Sequence, residues 1–433
     1  MKQSALRYPL SLLALFLLTL FMAITIVIVL LFQLQPVGTA LASQPLAQPG
    51  QVITHTYYLP LIASSPSLGA YRMGYAATQN SPSVYTDIEA IDAGWYTNWG
   101  TALQPIRPGN IEYVQMVRVH QKLSCGEWFK WNREVCPYAQ PLDYVFKPGM
   151  AQIKAIAQAN PGAIWLIGNE MDRVDFSCGE GCSDGQDEMV PETYAYAFHD
   201  IAQLIRSVDP SARIAVGGLI QPTPLRLQWL TIAWDTYQSV YSETMPVDIW
   251  NIHNFILQED KFSYGAAVPP GLPNDPTKGE YIGQDYTHTD KVIFDQQIRA
   301  MRQWMKDRGQ QQKPLVVTEY GVLYSHRVVN GNETIDFGNA DTVHNFMLWT
   351  FDYFLDTKDC TLGLQADECR LVQRWLWFSL DHAYTDSSGK VQGYFNVHTS
   401  LYDSATRKIF PAGEKFRDYV LEKFEELSIV WVD

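Results

Sequence analysis

The sequence lacks the signatures of several large functional classes. It has no Gly-rich dinucleotide motif and no P-loop, so nothing in it points to nucleotide chemistry. None of its six cysteines stands at metal-site spacing with histidine partners. Asp184-Gly185-Gln186-Asp187-Glu188 lacks the full ligand pattern of a calcium loop, and neither a metal nor a cofactor is expected. Basic residues are in deficit, 32 Lys and Arg against 46 Asp and Glu, for a formal net charge of −14. Such a chain repels phosphate backbones, which argues against a nucleic-acid partner. No internal repeat is found.

Charge is also missing from most of the first 68 residues. Lys2 and Arg7 precede an uncharged apolar run from Leu10 to Phe32. At a rise of about 1.5 Å per residue that run can cross a bilayer as a helix. The basic end should stay in the cytoplasm. Residues 1–32 are expected to be an uncleaved signal-anchor; the alternative is a long signal peptide cut near Ala40-Leu41-Ala42. Either puts the remainder outside the cytoplasm, membrane-tethered or secreted. Residues 33–68, rich in Pro, Gln, Ser and Ala, are expected to be a flexible spacer. The six cysteines form three close pairs: Cys125 with Cys136, Cys178 with Cys182, and Cys360 with Cys369. In an exported chain, local pairs suggest disulfides that pin loops, although six cysteines allow 15 connectivities.

What the sequence does have, from residue 69 to 433, is an alternation of short apolar strands with helical patterns. The expected strands are Tyr71–Ala76, Gly94–Asn98, Tyr113–His120, Ile164–Glu170, Ile214–Leu219, Asp248–Phe255, Leu315–Tyr320 and Trp375–Leu380. Several are continuous apolar runs, as in strands buried on both faces. Among the helical patterns, Glu192–Ser207 places Tyr196, Ile201, Leu204 and Ile205 in a stripe. Val292–Arg308 does the same with Val292, Phe294, Ile298, Met301, Trp304 and Met305, and ends at Gly309. Eight such units predict an α/β fold, a (β/α)8 barrel with long βα loops; a doubly wound open sheet is the alternative. The third cysteine pair precedes the last strand and is expected on the face away from the chemistry.

Two strands end in a carboxylate, Glu170 after Gly168-Asn169 and Glu319 after Val317-Thr318. Parallel barrels keep their chemistry at the C-terminal ends of strands. A facing carboxylate pair is what glycoside hydrolysis requires: one acid to protonate the leaving oxygen, one base or nucleophile across the sugar. Alternate residues should then turn Trp165 and Ile167 to the helix layer and Gly168 and Glu170 inward. The chain has 13 Trp and 24 Tyr, enough to offer flat apolar faces to a sugar, though most should serve core packing. Trp99, Trp128, Trp131, Trp375 and Trp377 are candidate stacking platforms. Arg118 and His120 end the third strand and could touch substrate or orient Glu319; a structural ion pair is the other possibility. Tyr320 is a candidate hydrogen-bond partner of Glu319. Asn332-Glu333-Thr334 fits a glycosylation acceptor.

The arrangement resembles the retaining (β/α)8 glycoside hydrolases with catalytic Glu residues on strands four and seven. More narrowly, it is similar to the glycosyl-hydrolase catalytic-core family that includes endo-β-1,3-glucanases. The matching stretches are Trp95-Tyr96-Thr97-Asn98-Trp99, Leu166-Ile167-Gly168-Asn169-Glu170-Met171-Asp172, Asp248-Ile249-Trp250-Asn251-Ile252-His253 and Val317-Thr318-Glu319-Tyr320-Gly321, within roughly residues 70–385. The resemblance implies that Glu170 is the acid/base and Glu319 the nucleophile. It implies that Asn169 holds the sugar beside the scissile bond and that His253 lines the site; Asn98 and Trp99, in the first matching stretch, are candidate substrate-binding residues. By the same resemblance Trp377 would floor a subsite. Two departures stand out: Met171 replaces the usual Pro, and Asn254-Phe255 replaces an aromatic pair after the strand-six His. The expected substrate is a polysaccharide or oligosaccharide. The alternative is a non-catalytic cell-surface protein that binds carbohydrate on a hydrolase-like barrel.

Overall fold

A computed structural model describes residues 70–125, 133–174, 185–259, 266–273, 279–281, 287–329, 333–336, 338–393 and 395–428. The chain divides into two compact units, Met1–Leu61 and Ile62–Asp433, and every described residue belongs to the second. The expected apolar segment 1–32 and spacer 33–68 lie outside the described residues. Among the described residues, no helix is long and apolar enough to cross a membrane.

Eight parallel strands form where apolar runs were expected. They are β1 (Met73–Ala76), β2 (Trp95–Thr97), β3 (Glu112–Tyr113 and, after Val114, Gln115–Gln121), β4 (Ile164–Asn169), β5 (Arg213–Gly218), β6 (Trp250–His253), β7 (Leu315–Glu319) and β8 (Arg374–Phe378). Each pairs with the next, and β8 pairs back with β1 through Met73–Trp375 to Ala76–Phe378. Between β5 and β6 the link is two single parallel bridges, Ala215–Ile249 and Leu219–Ile252. The pairing therefore runs in a ring, as in a (β/α)8 barrel.

Side-chain alternation divides the core in two. Trp95, Val114, Met116, Ile164, Leu166, Ala215, Ile249, Val316 and Leu376 fill the interior of the ring. Their strand neighbours, Trp165 and Ile167 among them, join the larger cluster between strands and helices, as alternation required. Six α-helices occur among the described residues: α1 (Met150–Ala159), α2 (Pro191–Val208), α3 (Pro224–Tyr241), α4 (Lys291–Asp307), α5 (Ala340–Asp356) and α6 (Pro411–Ser428). The connections after β1 and β2 hold only short 3-10 turns, such as Ile88–Ile91 and Pro108–Asn110. In α4 the Asp290 carboxylate caps the first turn by accepting from the Val292 and Ile293 amides, at 2.9 and 3.0 Å. The helix stops at Gly309, whose φ of +69° suits the position after a helix end.

Two expected helix stripes are corrected. Tyr196 is exposed, and α2 instead buries Tyr194, Phe198, Ile201 and Ile205. Val292 is exposed because it sits in the first turn, ahead of the buried face formed by Phe294, Ile298, Met301 and Met305.

Of the three cysteine pairs, Cys360–Cys369 is a disulfide in the connection before β8, away from the strand C-termini as expected. The expected Cys125–Cys136 bond is not formed. The buried Cys136 sulfur accepts the Cys125 amide at 3.2 Å, while the Cys125 thiol turns to the Val135 carbonyl. Cys178, Cys182, Trp128, Trp131 and Asn332 lie outside the described residues.

Candidate active site

The chain after β4 leaves the strand in a tight left-handed step. Glu170 has a φ of +50°, unusual for a side chain of its size and typical of functional positions. Its amide still donates to Gly218 of β5 at 3.0 Å, which fixes the step against the ring. Met171, which stands where the resemblance led to an expected Pro, is fully buried beside two backbone-only positions. A Cβ on Gly168 would stand 2.6 Å from its sulfur, and one on Gly217 closer still. The two glycines therefore make the hole that Met171 fills. Asp172 continues inward to a buried network in which Arg226 of α3 bridges Asp172 and Glu259, at 2.8 Å each.

Glu170 and Glu319 open into one cavity of about 420 Å³. Its walls include Asn98, Trp99, Asn169, Arg173, Phe255 and Phe378. Both carboxylates are nearly buried, at 3% and 6% exposure. They are linked by a chain of polar contacts. Arg173 Nη1 lies 2.9 Å from Glu170 Oε2, and His253 Nδ1 lies 3.0 Å from Glu170 Oε1. His253 Nε2 lies 3.4 Å from Glu319 Oε1, to which the Trp99 indole N–H donates at 2.6 Å. One donor atom from each of Glu170, His253 and Glu319 falls within 4.8 Å of the others, close enough to share a metal ion. The Arg173 guanidinium already supplies positive charge there.

The same contacts set the proton balance. Burial works to push the Glu170 carboxyl up, but the Arg173 charge and the His253 hydrogen bond outweigh it and bring it down to about 2. Burial pushes Glu319 up to about 7, with the Glu170 charge adding to it, against the pull of His253 and Trp99. Burial disfavours a charged His253, yet Glu319 and Glu170 outweigh it and leave the imidazole above its ordinary value.

The expected residues divide clearly. Glu170, Glu319, Asn169, His253, Trp99 and Asn98 are brought together. Asn98 sits at the rim, where its Oδ1 accepts from the Tyr113 hydroxyl at 2.7 Å. Arg118 lines the cavity but does not orient Glu319; its Nε donates to Asp187 at 2.7 Å in a buried ion pair. Asp187 also accepts the Val119 and Asn169 amides, at 3.0 and 2.9 Å, and so pins the residue before Glu170. His120 is fully buried, with Nδ1 on the Gln121 carbonyl at 2.8 Å, and burial lowers it to about 4.

Tyr320 does not reach Glu319. One step further along, its ring turns to the helix layer against Trp377 and Phe354, and its hydroxyl meets Thr350 at 3.3 Å. Trp377 is not a sugar floor either: it is fully buried and donates to the Thr399 carbonyl at 2.8 Å. Its neighbour Phe378 takes the position at the cavity, edge-on to Trp99 at 5.9 Å. Trp375 is likewise core, stacked on Phe354. After His253, Asn254 turns outward, its amide reaching the Phe294 carbonyl at 3.3 Å, and Phe255 faces the cavity. Arg173, Asp187 and Phe378 were missed. Arg173 follows Glu170 by three residues, the spacing of a side chain returning over its own turn, and that was the one signal available.

No family description matches the sequence, and no curated protein matches it. Solved structures do resemble it in chain trace. A GH128 (subgroup I) endo-β-1,3-glucanase from Amycolatopsis mediterranei, solved with laminarihexaose, is 16% identical. It covers 80% of this chain and 99% of its own, at a TM-score of 0.44. A subgroup II endo-β-1,3-glucanase from Sorangium cellulosum is 15% identical, covers 80% and 98%, and has a TM-score of 0.43. A subgroup VII oligosaccharide-binding protein from Trichoderma gamsii is 12% identical, covers 81% and 94%, and has a TM-score of 0.41. At such identities the site stands or falls on its own side chains.

Proposed function

We propose that this chain is a retaining glycoside hydrolase that cleaves β-glycosidic bonds in an oligosaccharide or polysaccharide. Glu170 acts as acid/base and Glu319 as nucleophile. The observation that carries this is the pair itself: two buried carboxylates from β4 and β7 share one cavity, with oxygens within 4.8 Å. So close an approach of one oxygen pair supports the retaining geometry, ~5–5.5 Å between carboxyl groups, over the ~6.5–9.5 Å that leaves room for an inverting water. Trp99, Phe255 and Phe378 offer apolar faces to a sugar, and Asn169 and Asn98 offer amides to its hydroxyls.

In the first step the Glu319 oxygen bonds to the anomeric carbon as the C–O bond to the leaving group breaks. The leaving oxygen takes the Glu170 proton. In the second step water attacks the anomeric carbon, gives its proton to Glu170, and releases Glu319 as carboxylate. The reading puts its substrate outside the cytoplasm, and the basic and then apolar segment 1–32, which would export or tether the domain, supports it. Protease treatment of intact cells should remove the domain; its survival until lysis would refute that topology.

A second class of function has an observation in its favour. The empty site holds Glu170 ionised against Arg173, which suits a saccharide-binding protein better than an acid catalyst. Reducing-sugar release from β-glucans, xylan, mannan and galactan separates the two. Release that disappears in Glu319→Gln supports the hydrolase, whereas saccharide binding without release by the wild type leaves a binding protein.

A further inference from the structure

Two buried histidines away from the carboxylate pair show what a structural imidazole faces. His120 sets one on the Gln121 carbonyl, and His382 sets Nε2 on the Asn396 carbonyl and Nδ1 on Ser379. These are structural arrangements, and burial lowers both residues to about 4. His253 is different. Neither of its ring nitrogens meets a backbone carbonyl. Nδ1 faces Glu170 at 3.0 Å and Nε2 faces Glu319 at 3.4 Å. Nε2 is fully buried and makes no hydrogen bond among the described residues, so its nearest acidic oxygen is a catalytic one.

The backbone is shaped to hold this pose. The pairing register of β6 on β7 slips between Ile252 and His253, which sets His253 opposite Glu319. Gly218 of β5 leaves the space that the ring occupies, since a Cβ there would collide with Nε2. The charged groups around the ring are few. Glu170 and Arg173 come from the end of β4, Glu319 comes from β7, and Asp172 is held away by Arg226 of α3. Phe255, two residues after His253, and the Trp99 indole on Glu319 complete the surroundings.

We propose that His253 is a proton relay between the two carboxylates, accepting a proton from Glu319 at Nε2 and giving one to Glu170 from Nδ1. The proposal rests on the hydrolase reading of the site. The resting site keeps its proton on the wrong carboxylate, because burial favours a neutral Glu319 while Arg173 favours an ionised Glu170. The relay gives them a path for exchange, and the leaving oxygen that takes the Glu170 proton draws the transfer forward. At the start Glu319 is a carboxylic acid, His253 is neutral with its proton on Nδ1, and Glu170 is a carboxylate. The Glu319 proton moves to Nε2 and the Nδ1 proton moves to Glu170 Oε1. At the end Glu319 is a carboxylate, Glu170 is an acid, and His253 is neutral again. Two protons and one negative charge are present before and after. Glu319 can then attack and Glu170 can protonate the leaving oxygen, with no proton drawn from solvent into a buried site.

The test uses 2,4-dinitrophenyl and phenyl β-glycosides of glucose, xylose, mannose and galactose across pH. The first leaving group departs without a proton; the second needs one. The wild type should hydrolyse both glycosides of its preferred sugar. His253→Gln cannot pass a proton through, so phenyl turnover should fall by about 10²-fold or more at every pH. Dinitrophenyl turnover should instead recover as pH rises and solvent ionises Glu319 directly. In His253→Ala, which leaves a ring-sized space, added imidazole should restore phenyl turnover. The relay is wrong if His253→Gln keeps phenyl turnover. It is also wrong if both substrates fall in parallel at every pH and imidazole does nothing for His253→Ala. A wild type inactive on all eight glycosides and on the polysaccharides would instead refute the hydrolase reading itself.

Discussion

Arg173 Nη1 sits 2.9 Å from Glu170 Oε2, so the carboxylate assigned to give a proton is held ionised by a guanidinium three residues away. The turn that follows β4 makes this contact. Its physical result is a carboxylate that carries no proton in the empty site.

Arg173→Gln should therefore raise the Glu170 pKa from about 2 toward its ordinary value of 4.5. A depressed carboxylate stabilises the fold above its unfolded pKa and loses that contribution as pH falls through its folded one. The unfolding free energy of the variant should fall below that of the wild type at neutral pH, and the gap should close between about 4.5 and about 2. Denaturant titrations across that window check it. A gap independent of pH would mean that Arg173 acts on stability without acting through Glu170.

Glu319 should show the opposite sign. Its pKa is raised, so its stabilising protonated form is complete below 4.5 and is lost as pH rises through about 7. Glu319→Gln, which cannot ionise, should unfold at a higher temperature than the wild type at pH well above 7. Well below 4.5 the two should be alike. At ~1.4 kcal/mol per pKa unit, the difference should reach a few kcal/mol. Thermal unfolding at the two extremes of pH measures it.

The two carboxylates should part company in their response to azide. Glu319→Ala should abolish turnover of every substrate, because no glycosyl-enzyme forms. Glu170→Ala should still react with a dinitrophenyl glycoside, and azide should speed breakdown of the trapped intermediate to a β-glycosyl azide. A β-product from Glu319→Ala would exchange the two roles.

Phe378 and Trp377 should also separate. Phe378→Ala removes a face of the cavity and should raise KM for oligosaccharides by up to about tenfold, the equivalent of ~1.4 kcal/mol. Trp377→Phe should leave KM alone and lower the unfolding free energy, since the indole is fully buried and donates to Thr399. KM and Tm measured on both variants decide the matter.

The strands were legible because strands buried on both faces tend to be apolar runs, and several of the eight expected strands are such runs. Glu170 and Glu319 were legible because each follows a run directly. Tyr320 and Trp377 were misassigned for one shared reason: alternation turns successive side chains to opposite faces, so a one-residue error sends a side chain to the wrong layer. The Glu319 contact expected of Tyr320 comes from Trp99, on the other side of the ring. Asp187 lies in a loop without periodicity, and its work of accepting from Val119, Asn169 and Arg118 is visible only in space. After the first two strands Pro82, Pro105, Pro108 and Gly109 break the chain into short turns where the (β/α)8 pattern would have helices.

Gly168, Met171 and Gly217 behave as one unit of inheritance. The hole that two missing side chains create, one on the strand before Glu170 and one on the neighbouring strand, is filled by the residue that follows Glu170. A side chain added at either glycine strikes the Met171 sulfur, and shortening Met171 empties the hole and frees the turn that aims Glu170. Each change alone should be a lineage's dead end, and a smaller residue at 171 should not rescue a side chain at either glycine: Gly168 holds a φ of +92°, and a Cβ on Gly217 would stand 2.5 Å from the Gly168 carbonyl oxygen. Variation at this turn should therefore be confined to position 171, where residues that fill the same hole survive.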